Sequence, residues 1–427
     1  ALGGVAFHAP SATYAVAAAS MARFYIKEPN PDIAARDAGA PTGGADQPLI
    51  SEHERLDLPT TSVPPAIARF HVDLLSPVTW ETVDSHALAA NEHIVAMHTL
   101  TLDTEQAAAG CKPFLCLATA FVLGEDVASR GKMYVFDIVD IVPLPGRPQT
   151  NRKLRLLYQE EVRGAISALA ELRGNLAVSL GSKVLIRSFR NNETLESVAF
   201  LDCQAWVRSL SGFKNFLLIG DLLNSLWFAG FQEDGPTRLQ VLGRDFTNQL
   251  PVEFADFLIN QSQLELVAAD AFGCLHFFIY APRDAHSLGG QKLLRRGEYN
   301  LRSRVTAIRR LVSKPLNARQ QACVVATASG AVYAVSMLPE KTFKRLHRIN
   351  TQLVHGTEPL AGLNPREFRS VPIHQRQYHA PRRTVLDADL LVPLFAHGSL
   401  AQQKEAAQRD GTTADRVLRD IAEVEHT

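Results

Sequence analysis

The chain is poor in the residues that usually betray chemistry. Five cysteines in 427 residues, Cys111, Cys116, Cys203, Cys274 and Cys323, are an odd number and contain no Cys-x-x-Cys pair. That argues against a secreted disulfide framework. Cys116, Cys274 and Cys323 sit in or beside apolar runs, where a free thiol acts as a small hydrophobe, as in a reducing compartment. No run of eighteen apolar residues is present, so no membrane partner is expected. Charge of one sign is also missing: 44 Lys and Arg balance 44 Asp and Glu. No global field draws the chain to nucleic acid, and any electrostatic partner must be met by a local patch. The chain opens on Ala1 with its first methionine at Met21, as a fragment or processed chain would.

Catalytic signatures are absent too. There is no Gly-x-Ser-x-Gly, His-Glu-x-x-His or Gly-x-Gly-x-x-Gly. Around "RGKMYVFDIVDIV", Gly124 and Gly131 are too far apart for a phosphate loop, and Met133 stands where its hydroxyl should be. The stretch is instead a strand, with Tyr134, Phe136 and Ile138 on one face and Met133, Val135 and Val139 on the other. A strand apolar on both faces must be covered on both. Glu52-His53-Glu54 falls in a polar loop, and His397 beside Ser399 is better explained by Ser399 capping a helix. No cofactor, metal or small-molecule substrate is expected, and no enzyme activity.

One unit recurs along the chain: apolar strand, turn, apolar strand. "NLAVSLGSKVLIRSF" turns at Gly181-Ser182 and "NFLLIGDLLNSLWFAGF" around Gly220-Asp221. "LELVAADAFGCLHFFIY" turns at Asp270 to Gly273, and "ACVVATASGAVYAVSML" at Ser329-Gly330. The spacing of about 40 to 60 residues suits the four-stranded blade of a WD-repeat-like β-propeller. The expected fold is therefore mainly β: a propeller of about seven blades over 1–338, interrupted by a disordered loop at 27–68 rich in Pro, Gly, Ala and Asp. A pair of β-sandwiches is the alternative, but it leaves the recurring hairpin unexplained. Residues 339–427 change grammar to a small α-helical domain. Phe343, Leu346, Asn350 and Leu353 mark one face of its first helix. Thr384 with Asp387, Ser399 with Gln402, and Thr412 with Asp415 open the others, and Gly411 stops one.

Basic residues cluster twice. Lys341, Arg345 and Arg348 share a helix face, with Lys344 adjacent, and 292–310 holds Lys292, Arg295, Arg296, Arg302, Arg304, Arg309 and Arg310. Such clusters are either solvated faces or contacts to phosphate and acidic partners. "AGLNPREFR" fixes a turn through Gly362 and Pro365, leaving Arg366 and Arg369 outward.

Taken together, "RGKMYVFDIVDIVPLPGRPQTNRKLRLLYQEEVRGAISAL", "SLGGQKLLRRGEYNLRSRV", "EKTFKRLHRINTQLV" and "AGLNPREFRS" resemble the large-subunit family of the mRNA cleavage and polyadenylation specificity factor. "LDADLLVPLF" and "GTTADRVLRDIAEV" extend the likeness to the C-terminal region. The superfamily includes the damaged-DNA-binding large subunit and a splicing-factor subunit. The resemblance implies the third propeller of the family and its helical domain, a nuclear location and a non-catalytic scaffold in pre-mRNA 3′-end processing. The implied partners are a WD-repeat subunit and a zinc-finger subunit, with pre-mRNA met directly or through them. The other reading is a propeller adaptor of the damaged-DNA, ubiquitin-ligase or splicing branch. Lys341, Lys344, Arg345, Arg348, Arg366 and Arg369 are the candidate partner or RNA-backbone contacts.

Overall fold

The computed structural model describes residues 2–23, 66–105, 107–122, 127–143, 145, 150–191, 193–203, 205–233, 237–246, 250–260, 263–312, 320–356, 369 and 384–425. Consecutive strands pair with their neighbours in antiparallel meanders, followed by helices. The fold is mainly β, as the alternating apolar runs require. No described helix is long and apolar enough to cross a membrane.

The chain divides into two compact units, 1–167 with 189–195, and 168–188 with 196–427. In the first, β1 (Leu2–His8), β2 (Thr13–Arg23), β3 (Ala66–Leu75) and β4 (Thr82–Ala87) form one sheet. A second sheet is built from β5 (Glu92–Asp103), β6 (Cys111–Phe121), β7 (Arg130–Asp140) and β8 (Arg152–Arg163). The core between them joins Ala15, Ala17, Val72 and Leu74 to Leu115, Leu117, Tyr134 and Phe136. Met133 through Ile138 are all buried, so β7 is covered on both faces, as its sequence requires. Ala66, Ile67 and Ala68 pair with Arg23, Ala22 and Met21. The expected loop at 27–68 is therefore corrected at its end, because these three residues extend the β2–β3 ladder. Residues 27–65, with Glu52-His53-Glu54, lie outside the described residues.

In the second unit the first meander is β9 (Ile166–Leu172, whose first two residues belong to the first unit), β10 (Asn175–Leu180), β11 (Lys183–Ser188) and β12 (Glu196–Asp202). The next is β13 (Val207–Phe213), β14 (Phe216–Asp221), β15 (Ser225–Gln232) and β16 (Arg238–Arg244). Then come β17 (Val252–Asn260), β18 (Gln263–Asp270), β19 (Cys274–Ile279) and β20 (Leu294–Asn300), and finally β21 (Val305–Val312), β22 (Gln320–Thr327) and β23 (Val332–Val335). These last two groups join through a short β17–β22 pairing at Ile259–Gln321 and Asn260–Gln320.

Alternation along single strands sends side chains into successive cores. On β14, Leu217 and Ile219 enter the core shared with β9–β12, whereas Leu218 enters the one shared with Phe257, Leu266 and Phe278. On β18, Leu266 and Ala268 face that second core and Val267 and Ala269 a third, with Leu275, Val305 and Val325. Each buried Leu or Phe contributes about 1.5–3 kcal/mol over exposure, so every sheet is held by its neighbours.

Turns follow from local chemistry. Asp270 accepts from the backbone N–H of Phe272 (2.9 Å) and Cys274 (2.8 Å), closing the β18–β19 hairpin. Asp221 does the same for Leu223 and Asn224, so the turn expected at Gly220-Asp221 lies one step later. The two residues complete β14, since Asp221 supplies its carboxylate to the turn from the strand end. Gly212 on β13 allows close sheet contact: a Cβ there would lie 1.8 Å from the Glu171 carbonyl oxygen.

The helices are α1 (Glu340–Gly356), α2 (Ala388–Ala396), α3 (Leu400–Arg409) and α4 (Ala414–Glu425). Their shared core is Leu346, Ile349, Leu391, Phe395, Ala406, Ala407, Val417 and Ile421. Ser399 and Gln402 form the expected capping box of α3, and Gly411 adopts φ 68°. The cap of α2 is Asp387, which accepts from Leu390 N–H, and not Thr384. The Thr384 hydroxyl donates instead to the Arg296 carbonyl, at 3.0 Å.

Gly212→Ala tests the close approach of β13 to β9. Because backbone, not a flexible side chain, blocks the methyl group, it should cost about 1–3 kcal/mol in urea unfolding. Gly181→Ala meets no atom within 4 Å. Its penalty should come only from φ 60° and stay at about 1 kcal/mol.

Candidate interaction surface

The first helix settles where its cations go. Leu346 and Ile349 are wholly buried, while Phe343 is half-buried against His347, with ring centroids 5.3 Å apart. The buried face is thus rotated from the one expected to centre on Phe343. That rotation brings Arg345 inward. Its guanidinium donates to Asp420 Oδ2 on α4 at 2.7 Å, and Arg416 lies 3.3 Å from the other oxygen. Asp420 is fully buried, so this is an internal ion pair. Arg348 remains exposed but reaches Asp410, the C-terminal cap residue of α3, at 3.1 Å. Lys344 pairs with Glu340 one turn away, at 2.5 Å. The common exposed face expected for Lys341, Arg345 and Arg348 is corrected: two of the three bind acids of other helices. Lys341 stands exposed, with no ion pair among the described residues.

Arg369 is a junction. Its carbonyl accepts from Asn300 N–H (3.1 Å), and its guanidinium lies 5.3 Å from the Tyr299 ring centroid and 5.9 Å from that of Tyr333. The same group meets Asp389 at 3.4 Å and Asp387 at 3.8 Å. Tyr299 donates its hydroxyl to Asp387, and burial first, then the acid, pushes the phenol pKa well up. One arginine therefore ties β20, β23 and the start of α2 together. Arg366 lies outside the described residues, so the sequence-defined set is not brought to one place.

Beside this junction a cavity of about 570 Å³ opens between the β17–β23 sheet and α1 and α2. Phe277, Tyr333, Met337 and Phe343 line it, with Glu265 and Arg296 among its charged groups. Burial raises the Glu265 pKa against the pull of Arg296. Periodicity gave no warning of this cavity, because its walls come from many elements far apart in sequence.

The second basic cluster also disperses. Arg304 pairs with Glu253 (Nε to Oε2, 2.8 Å) and Arg310 with Asp256 at 3.8 Å. Arg310 also donates to the Gly212 carbonyl at 3.0 Å. Arg295 meets Glu298 (2.6 Å) and donates to Nδ1 of His276 (2.6 Å). His276 in turn donates from Nε2 to Asp270 at 2.8 Å. This His-Asp pair has the composition of a general base, but both side chains are fully buried. Its geometry fixes the β18–β19 turn. Desolvation first, with Arg295 adding, lowers the His276 pKa. His397 is the C-terminal cap of α2 and Ser399 the N-cap of α3, so neither position is arranged as nucleophile and base. Among the described residues no three His, Cys, Asp or Glu side chains are grouped to hold a metal ion.

Comparison with known proteins places the chain. The family described as the CPSF A subunit region matches residues 69–395. The chain belongs to this family. It is 33% identical over 374 residues to cleavage and polyadenylation specificity factor subunit 1 of Drosophila melanogaster, covering 84% of this chain and 25% of the relative. Protein cft1 of Schizosaccharomyces pombe is 27% identical over 433 residues, covering 99% of this chain and 28% of that protein. Protein cft1 of Aspergillus fumigatus is 30% identical over 364 residues, covering 81% and 26%. The chain thus spans about a quarter of the length of the curated relatives it matches.

Two predictions follow from the buried pairs. Asp420→Ala leaves Arg345 half-buried without its acid and should cost about 3–5 kcal/mol in urea unfolding. Lys341→Ala should stay within about 0.5 kcal/mol. His276 has a folded pKa below its unfolded value of 6.5. Above pH 6.5 both states are neutral and nothing is lost; below it the unfolded chain takes up a proton that the folded one refuses. The urea midpoint of the wild type should fall as pH drops from about 7 to 5, and His276→Gln should flatten part of that slope.

Proposed function

We propose that the chain is a non-catalytic scaffold portion of the nuclear machinery that cleaves and polyadenylates pre-mRNA. The observation that carries this is its likeness, over 81 to 99% of its length, to relatives named for that factor. The sheet grammar supports the finer reading. Meanders sharing cores on both faces suit the blades of a propeller over 1–338, and the helices suit a small domain over 339–427.

A scaffold acts by presenting fixed surfaces, and the charges here are arranged for fixation. Arg345, Arg348 and Arg369 hold helices to one another or to strands, so they position a docking surface from within. Lys341 and Lys344 remain on the outside of α1 for a partner or an RNA backbone. The WD-repeat and zinc-finger subunits are the partners proposed, with pre-mRNA met through them or beside them.

The test is co-expression of the chain with those two subunits, followed by affinity purification and an RNA cleavage assay with magnesium. The expected result is a complex retained on the column, with no cleavage by the chain alone. Failure of both subunits to co-purify would contradict the scaffold reading. Magnesium-dependent cleavage that disappears on mutating one of the chain's own carboxylates would contradict the non-catalytic one.

A further inference from the structure

A second cationic place lies away from the helices, where β16 meets the loop before β20. Arg244, the last residue of β16, is held between two aromatic rings. Its guanidinium carbon lies 5.3 Å from the Trp227 centroid and 4.2 Å from that of Phe246. Trp227 is its cross-strand neighbour on β15 and is 5% exposed, whereas Phe246 is 48% exposed. The flanking loop is bonded to the same residue: Arg244 N–H donates to Gln291 O at 2.8 Å, and Leu293 N–H to Arg244 O at 3.0 Å. This bridge sets Lys292 directly opposite Arg244. Gly243 permits the approach, since a Cβ there would lie 2.5 Å from the Gly290 carbonyl oxygen.

The set is all donors. Neither Arg244 nor Lys292 has an ion pair among the described residues, and Trp227 Nε1 is buried without a hydrogen-bond acceptor. The adjacent acid is engaged elsewhere: Asp245 accepts from the Ser225 hydroxyl at 2.8 Å. A guanidinium clamped between rings keeps its fork in one orientation, which suits a planar carboxylate. Two adjacent cations make a point site, whereas a nucleic-acid backbone needs a stripe of them. The open ring of Phe246 offers an apolar surface beside that point.

We propose that Arg244, Lys292 and Phe246 form a docking seat for an acidic and apolar peptide segment of a partner protein, its carboxylate on the two cations and its apolar side chain on Phe246. The seat uses none of the residues assigned to the helical surface, so it stands or falls separately from the scaffold reading.

The test is fluorescence anisotropy with the full chain and three labelled probes: the peptide Gly-Asp-Leu-Glu-Phe-Asp-Leu-Glu-Gly, its twin carrying Asn and Gln for the acids, and a nine-nucleotide oligouridylate. The acidic peptide should bind saturably and the amide twin should not. Lys292 is partly exposed, so Lys292→Glu should fold as wild type, which thermal unfolding checks. It should weaken the acidic peptide about tenfold, and Arg244→Gln at least as much. Phe246→Ala should also weaken it. Absence of saturable binding, or binding indifferent to Lys292→Glu and Arg244→Gln, would overturn the proposal. Oligouridylate bound more tightly, with the same sensitivity to both substitutions, would overturn it in favour of nucleic acid.

Discussion

A strand that is apolar on both faces cannot lie on a surface, and this constraint organises the chain. β14 and β18 each send alternate side chains into different cores, and β7 is buried from Met133 through Ile138. A sheet containing such a strand needs another layer on each side. The meander supplies it economically, because consecutive strands pair locally and, within each unit, neighbouring meanders share a core. Glycines appear where two backbones press together, as at Gly212 beside Glu171. Aspartates appear where a hairpin leaves N–H groups unpaired, as at Asp270.

Several buried polar groups inside this framework serve structure, each held by partners from other strands or helices. Glu92 is fully buried and accepts from the hydroxyls of Thr119 (2.6 Å) and Tyr134 (2.8 Å). Asp137 is nearly as buried and holds Lys112 at 2.6 Å and Arg155 at 3.1 Å. The His276–Asp270–Arg295–Glu298 chain follows the same rule. A buried charge with its partners in place specifies a register, and removing one partner is what costs most. Arg345 with Asp420 extends that logic to the helices.

The hairpins were legible because their signal is local: period-two apolar residues, a turn residue, and period two again. The capping box at Ser399 and Gln402 was legible for the same reason, being a three-residue pattern. The candidate site was less so. Helical spacing put Arg345 and Arg348 on one face, but their acids lie 75 and 62 residues away in sequence, on α4 and α3. Periodicity shows which residues share a face and cannot show which face meets another element. Arg369 carried no periodic signal, since its role depends on Tyr299, Tyr333 and Asp387 meeting in space. Arg244 carries no sequence signal, since its setting depends on Trp227 from the neighbouring strand and on the loop that brings Lys292 opposite it.

The central proposal is that the chain works by offering prearranged surfaces to other subunits. Hydrogen exchange read by mass spectrometry tests it most directly, comparing the chain alone with the chain assembled with the WD-repeat and zinc-finger subunits. The account predicts slowed exchange confined to surface loops and helix ends, with the strand cores β7, β14 and β18 equally protected in both. Unchanged exchange everywhere, or strand cores that become protected only on assembly, would contradict it.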